Sequence, residues 1–339
     1  MKKLFFIVIL IVAAHSIIFA EEAGFDWYIA SPQDVGLGEQ KITAFRTALL
    51  PTEVTSCIIV RYGKIALEYY KSGYNETTVF PMNSASKSIT SAIVGIAIEQ
   101  GCFALDDRIV RFFPGLSSKA NTDYAKITVR HLLTNTSGLV STDSALWGLW
   151  LASDNWIDFL FDRPMQHKPG SVFDYSTGNT HILSVIIAQT TGKSLNDYGH
   201  QVLFAPLGLN SAYFDDDPQG ISDGGNGLHL TARDMARFGL LYLHNGVWQD
   251  KHLVPSEWVT QSTNIQTSKM ARYGYQWWIR YFGKKQLKGY FAHGWGEQVI
   301  AVIPDADLVI TFTSSYPDNR KNAVYWQWIG NIVDAAAGK

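Results

Sequence analysis

Hydrophobic and polar positions change period several times along the chain. Lys41 to Leu50 can form a short helix that stops at Pro51. Thr55 to Arg61 and Lys64 to Tyr70 are β-branched and aromatic runs separated by Tyr62-Gly63, a spacing that predicts a hairpin. Lys87 to Gln100 is nearly all small or apolar until Gly101 ends it, which predicts a helix buried on most sides. From about Asp106 to Asp234, helical stretches alternate with loops rich in Gly, Asn, Asp and Ser. Leu230 to Leu243 reads as a further helix, with Thr231 as N-cap and Asp234 in its first turn. Strand patterns return at Gly274 to Arg280, Gly289 to Ala292, Gln298 to Ile303 and Leu308 to Thr313, with a turn at Asp305-Ala306-Asp307. An amphipathic helix follows at Asn322 to Ala337.

Strands on both sides of a helical middle predict an α/β (α+β) fold: an antiparallel sheet flanked by helices, built from both termini, with an inserted, mostly helical lobe. The expected division is a sheet domain from residues 24–82 and 235–339, and a helical domain from 83–234. No internal repeat or low-complexity linker interrupts it.

Composition narrows the function classes. With 339 residues, 47% of them hydrophobic, the chain can bury a large core. Lys plus Arg number 28 against 30 Asp plus Glu, so no basic field exists to hold nucleic acid or an anionic membrane surface. Residues 1–20 read as a signal peptide: Met1-Lys2-Lys3 is basic, Leu4 to Ala14 is apolar, and Ile18-Phe19-Ala20 precedes Glu21-Glu22. Cleavage near Ala20 would leave an exported protein, periplasmic or secreted, with no stable membrane insertion. A retained anchor is the competing reading, but the apolar run is short for a spanning helix. Cys57 and Cys102 are read as two separate buried thiols. No H-E-x-x-H or Cys/His cluster has ligand spacing, so a metal site has no support.

Three stretches carry candidate chemistry. Ser84-Ala85-Ser86-Lys87 is an S-x-x-K tetrad at the start of the buried helix. Residues i and i+3 share a helix face, so the Lys87 amine can reach the Ser84 hydroxyl, and the helix N-terminus adds a positive potential beside the nucleophile. The tetrad alone is a weak signal. Its context strengthens it, because a lysine one turn into an apolar helix is costly to bury unless paired or used. The second stretch is Phe173-Asp174-Tyr175-Ser176-Thr177-Gly178-Asn179, a loop entering an apolar run, whose Tyr175 phenol could shuttle protons beside Ser84. The third is His293-Gly294-Trp295-Gly296-Glu297-Gln298, where small residues let backbone N–H groups approach a substrate; one of them with the Ser84 N–H would form an oxyanion hole.

In that order, the three stretches resemble the motifs of the serine β-lactamase and penicillin-binding-protein superfamily: S-x-x-K, a Tyr-x-Asn or Ser-x-Asn loop, and Lys/His-Thr/Ser/Gly-Gly on a strand. His131 to Leu139, Leu230 to Gly239 and Tyr273 to Trp278 resemble its class C β-lactamase-like branch. The Tyr-Ser-x-Gly-Asn and His-Gly-Trp-Gly phrasing is similar to that of the 6-aminohexanoate-oligomer hydrolases and related carboxylesterases. The resemblance implies a β-lactamase/D,D-peptidase-like fold with Ser84 as nucleophile, Lys87 as general base and Tyr175 as proton donor to the leaving group. It further implies an oxyanion hole from Ser84 and Gly296, His293 standing where many relatives have lysine, and substrate contacts from His293, Trp295 and Asn179. Thr177 in place of asparagine, Trp295 in place of the motif's glycine, and Glu297 after Gly296 depart from the pattern.

The expectation is therefore an acyl-enzyme hydrolase acting on small-molecule esters or linear amides, a chemistry that calls for no organic cofactor. The alternatives are a β-lactamase or penicillin-binding D-amino-acid peptidase, and a catalytically silent binding domain on the same fold. Trp147, Trp150, Trp156 and Phe159 either line an acyl pocket or pack a helical core.

Overall fold

The computed structural model describes residues 26–118, 122–267, 271–315 and 322–336. The expected signal peptide and Ala337 lie outside the described residues. In chain order the strands are β1 (Tyr28–Ile29), β2 (Val54–Arg61), β3 (Lys64–Tyr70), β4 (Val79–Pro81), β5 (Tyr213–Phe214), β6 (Leu228–Thr231), the hairpin β7 (Val247–Trp248) and β8 (Lys251–His252), β9 (Trp278–Phe282), β10 (Leu287–Gly294), β11 (Gln298–Ile303) and β12 (Leu308–Ser314). The helices are α1 (Glu39–Leu49), α2 (Ser86–Glu99), α3 (Val129–Leu133), α4 (Trp147–Leu151), α5 (Trp156–Phe161), α6 (Thr177–Thr191), α7 (Leu195–Gly199), α8 (Ala205–Leu207), α9 (Ala232–Leu243), α10 (Ser256–Ser262) and α11 (Asn322–Ala336).

Among the described residues the main sheet runs β1-β3-β2-β12-β11-β10-β9, antiparallel except for the parallel β1–β3 pair. The β2–β12 pairing, with Ile59 opposite Ile310, joins the early and late strands into one sheet. Both faces are covered. Ile58, Val60, Ile300, Val302 and Val309 enter a core with α2, α6 and α9, whereas Cys57, Ile59, Phe291, Ile310 and Phe312 pack against α1 and α11. Double burial is why Cys57 to Val60 of β2 and Leu308 to Ile310 of β12 are consecutive apolar residues rather than alternating ones. The β2–β3 turn uses Tyr62 and Gly63, both at positive φ, the geometry of a two-residue hairpin with matching twist.

Several local expectations shift. Leu230 and Thr231 close β6, which pairs with β4 and β5 in a small sheet, so that β5 and β6 are strands inside the segment expected to be helical. The helix starts at Ala232, behind a capping box in which the Asp234 N–H donates to Thr231 Oγ1 at 3.1 Å and the Thr231 N–H donates to Asp234 Oδ2 at 3.2 Å. The strand expected from Gly274 begins only at Trp278. Its aromatic residues are buried by tertiary contacts: the Tyr275 N–H donates to Ser262 O at 3.0 Å and the Gln276 N–H to Leu133 O at 3.1 Å. Cys57 and Cys102 are both free; burial pushes the Cys57 thiol up, but Cys102 is only half-buried.

Candidate active site

The nucleophile turn is held from three sides. Ser84 lies half-buried in the 3₁₀ turn Asn83–Ala85 that runs straight into α2. Asn83 adopts φ +48°, sparsely populated for a side chain with a Cβ, and is pinned there because its Nδ2 donates to Trp295 O at 2.7 Å. Ser86 Oγ donates to Asn83 O at 2.6 Å and accepts from the Leu228 N–H at 3.1 Å. Further along α2 the hydroxyls of Ser88, Thr90 and Ser91 donate to Gln276 O, Gly224 O and Tyr275 O. The small hydroxyls of this apolar helix thus bind the surrounding loops to it.

Lys87 is 1% exposed and donates at three places: Ser84 Oγ at 3.0 Å, Thr177 Oγ1 at 2.9 Å and Gly225 O at 2.8 Å. Gly225 O can only accept. The Thr177 hydroxyl gives its own proton to Asp143 Oδ1 at 3.1 Å, so toward Lys87 it too must accept. Two amine hydrogens are thereby committed, and the remaining tetrahedral position of Nζ faces Ser84. In the neutral amine that position is a lone pair. Gly225 permits the approach because a Cβ there would lie 2.6 Å from Thr177 Cγ2. Its turn is set by Asp223 Oδ1, which accepts the Gly225 and Asn226 N–H groups at 3.0 and 3.1 Å. Burial pushes the Asp223 carboxyl up, against the pull of His181 and Lys87. Sequence reasoning missed Asp143, Asp223 and Gly225; the glycine-dense run Asp223-Gly224-Gly225-Asn226-Gly227 was the available signal.

Tyr175 joins this cluster. Lys87 Nζ sits 5.0 Å from its ring centroid, and the ring stacks on Trp278 at 5.7 Å and meets Tyr273 edge-on at 6.3 Å. Its hydroxyl has no hydrogen-bond partner among the described residues, which leaves it available to a bound molecule. Asn179, expected at the substrate, is instead 1% exposed with its amide committed: Oδ1 accepts from Ser137 Oγ at 2.7 Å and Nδ2 donates to Asn135 Oδ1 at 3.0 Å. Asn135 Oδ1 in turn accepts the Ser176 N–H at 3.2 Å, so Asn179 steadies the tyrosine loop from behind.

The third stretch is divided between the two faces of β10. Gly294 packs on the nucleophile turn so tightly that a Cβ would lie 2.1 Å from Met82 O and 3.1 Å from Ala85 N. Successive strand residues point to opposite faces, and His293 accordingly turns away from Ser84. Its ring lies 5.6 Å from that of Trp326 on α11, with Nε2 3.4 Å from Glu297 Oε2. The close-approach glycine is Gly294 rather than the position of Trp295, and His293 does not occupy a lysine's place beside the nucleophile. Trp295 is 57% exposed and, with Gly296, Asn83, Tyr74, Pro81 and Gln298, lines a cavity of about 290 Å³. The backbone N–H groups of Trp295 and Gly296 carry no hydrogen bond among the described residues. Of the helical-lobe aromatics, Trp150 and Trp156 are buried, 4.3 Å apart against His181, as core; Phe159 lies under the Arg163 guanidinium, and Trp147 leans on Trp150. Among the described residues no group of His, Cys, Asp and Glu could hold a metal ion.

The beta-lactamase family profile matches residues 54–333. The chain is 24% identical over 286 residues to the 6-aminohexanoate-dimer hydrolase of Paenarthrobacter ureafaciens, covering 77% of this chain and 72% of that one. It is similar to a solved Bacillus anthracis protein provisionally named a 6-aminohexanoate-dimer hydrolase, with a TM-score of 0.77 and 27% identity over 92% of this chain and 87% of that one. The fold is shared with EstCE1, a hydrolase with promiscuous acyltransferase activity, at a TM-score of 0.69 and 17% identity, covering 90% and 98% of the two chains.

Proposed function

The chain belongs to the beta-lactamase family, and on that footing we propose that it is a serine hydrolase that cleaves esters or linear amides through an acyl-enzyme on Ser84. The observation that carries the reading is Lys87, buried with two donors committed and its third position on Ser84 Oγ. Lys87 takes the Ser84 proton as Oγ bonds to the acyl carbon. The developing oxyanion is met by the Ser84 N–H and an N–H of the Trp295–Gly296 turn. The C–O or C–N bond to the leaving group then breaks, with a proton delivered through the Tyr175 phenol. Water attacks the Ser84 ester in the second half-reaction, releases the acid and returns the proton to Ser84.

Esters and linear amides are favoured over β-lactams because His293 faces Glu297 and Trp326, which takes its imidazole away from a β-lactam carboxylate bound beside Ser84. The relationship to 6-aminohexanoate-dimer hydrolases supports the linear amide. We also place the working protein outside the cytoplasm, after cleavage near Ala20; the basic-then-apolar leader supports this. Labelling with a fluorophosphonate and mapping the adduct tests the reading. An adduct on Ser84, with kcat/KM for p-nitrophenyl butyrate above that for nitrocefin, is expected. No adduct and no turnover would leave a silent binding domain, and a preference for nitrocefin would mean a β-lactamase.

A further inference from the structure

The hydrogen-bond chain from Ser84 does not stop at Lys87. Asp143 lies in the loop before α4, 34 residues from Thr177. Its Oδ2 accepts the Thr177 N–H at 2.6 Å and its Oδ1 accepts the Thr177 hydroxyl at 3.1 Å. Ser176, the N-cap residue of α6, makes no side-chain cap bond of its own, and the adjacent Thr142 Oγ1 accepts the Gly178 N–H at 3.0 Å. The Thr142–Asp143 loop therefore caps α6 from outside, and in doing so it dictates the direction of the Thr177 hydroxyl.

We propose that Asp143 is a positioning residue for the reaction of Ser84, acting on the Lys87 amine through the Thr177 hydroxyl. The inference rests on the acyl-enzyme reading above. A carboxylate accepts only, so the Thr177 proton points at Asp143 and its oxygen lone pair at Lys87. That orientation, with Gly225 O taking a second hydrogen, keeps the lone pair of the neutral amine on Ser84. When Lys87 has taken the serine proton, the carboxylate one hydroxyl away balances the new ammonium charge, much as a third group orients and steadies the base in other nucleophile–base pairs. An asparagine at 143 could still accept the Thr177 N–H, but its NH₂ would donate to Thr177 Oγ1 and release the threonine proton toward Lys87, covering the lone pair.

Asp143 also borders a cavity of about 560 Å³ with Asp174, Arg163 and Gln166, from which it could touch substrate directly. A double-mutant cycle separates the two roles. Asp143→Asn and Thr177→Val are each expected to lower kcat for p-nitrophenyl butyrate roughly 10²-fold, with KM moved less than about threefold. Thr177→Ser should restore most of the Thr177→Val loss. The double variant should be no slower than Thr177→Val alone, because the effect of Asp143 passes through that hydroxyl. Multiplying losses, or an Asp143→Asn enzyme within threefold of wild type, would overturn the proposal. If Asp143→Asn fails to fold, Thr177→Val and Thr177→Ser decide at matched unfolding midpoints, and equal kcat values would overturn it. Ser84→Ala, measured alongside, tests the underlying reading separately: full turnover there refutes the acyl-enzyme whatever Asp143 does.

Discussion

Two clusters of buried polar atoms lie on opposite faces of β10, although the His293 side chain as a whole is only half-buried. On one side Lys87 has an acceptor for each direction its amine can point, at 2.8 to 3.0 Å. On the other, His293 and Glu297 approach to 3.4 Å, but neither Nε2 nor Oε2 makes a hydrogen bond, and the contact is an ion pair only when the imidazole is protonated. Burial is common to both, so burial does not mark the reactive one. Directionality does: the first cluster determines where each proton points, whereas the second brings two polar groups together without fixing a proton position. Breaking the first leaves a buried group without its partner and costs stability, and only the first should control turnover.

The comparison can be broken most forcefully at Ser84. Ser84→Ala is expected to reduce p-nitrophenyl butyrate turnover by about 10³-fold or more with circular dichroism unchanged; a few-fold loss would mean that the Lys87 cluster serves another group. Tyr175→Phe keeps the ring on Trp278 and deletes a hydroxyl of the cluster that has no hydrogen-bond partner among the described residues. Its kcat should fall by roughly 10² to 10⁴ with KM nearly constant, and a rise in KM alone would make Tyr175 a binding residue instead. Asn179→Ala leaves Asn135 and Ser137 short of a partner, and should lower the unfolding free energy in urea by about 1–3 kcal/mol. A protein of unchanged stability would put Asn179 back at the substrate.

The smallest effect belongs to the far cluster. His293→Lys should leave the ratio of kcat/KM for p-nitrophenyl butyrate to that for nitrocefin within about threefold, roughly 0.7 kcal/mol, because the side chain points toward α11. A large swing toward nitrocefin would mean that the residue reaches the nucleophile face after all.

What the sequence determined by itself was local. The pairing of Ser84 with Lys87 follows from i,i+3 spacing, the β2–β3 turn from Tyr62-Gly63, the start of α9 from the Thr231/Asp234 box, and the two-ended sheet from where the strand patterns fall. Each is decided within a few residues, or by a pattern that has one compact solution. The partners of Lys87 are of another kind: Thr177 and Gly225 are 90 and 138 residues away, and Asp143 reaches the amine only through Thr177. Spacing carries no information about such contacts, because they exist only once the intervening loops have closed around α2 and α6. The face taken by His293 is likewise set by the pairing register of β10, in which His293 lies opposite Val299 and Gly294 opposite Gln298. A slip of one residue would exchange the faces, so a motif that reads the same in sequence delivers its glycine, and not its histidine, to the nucleophile.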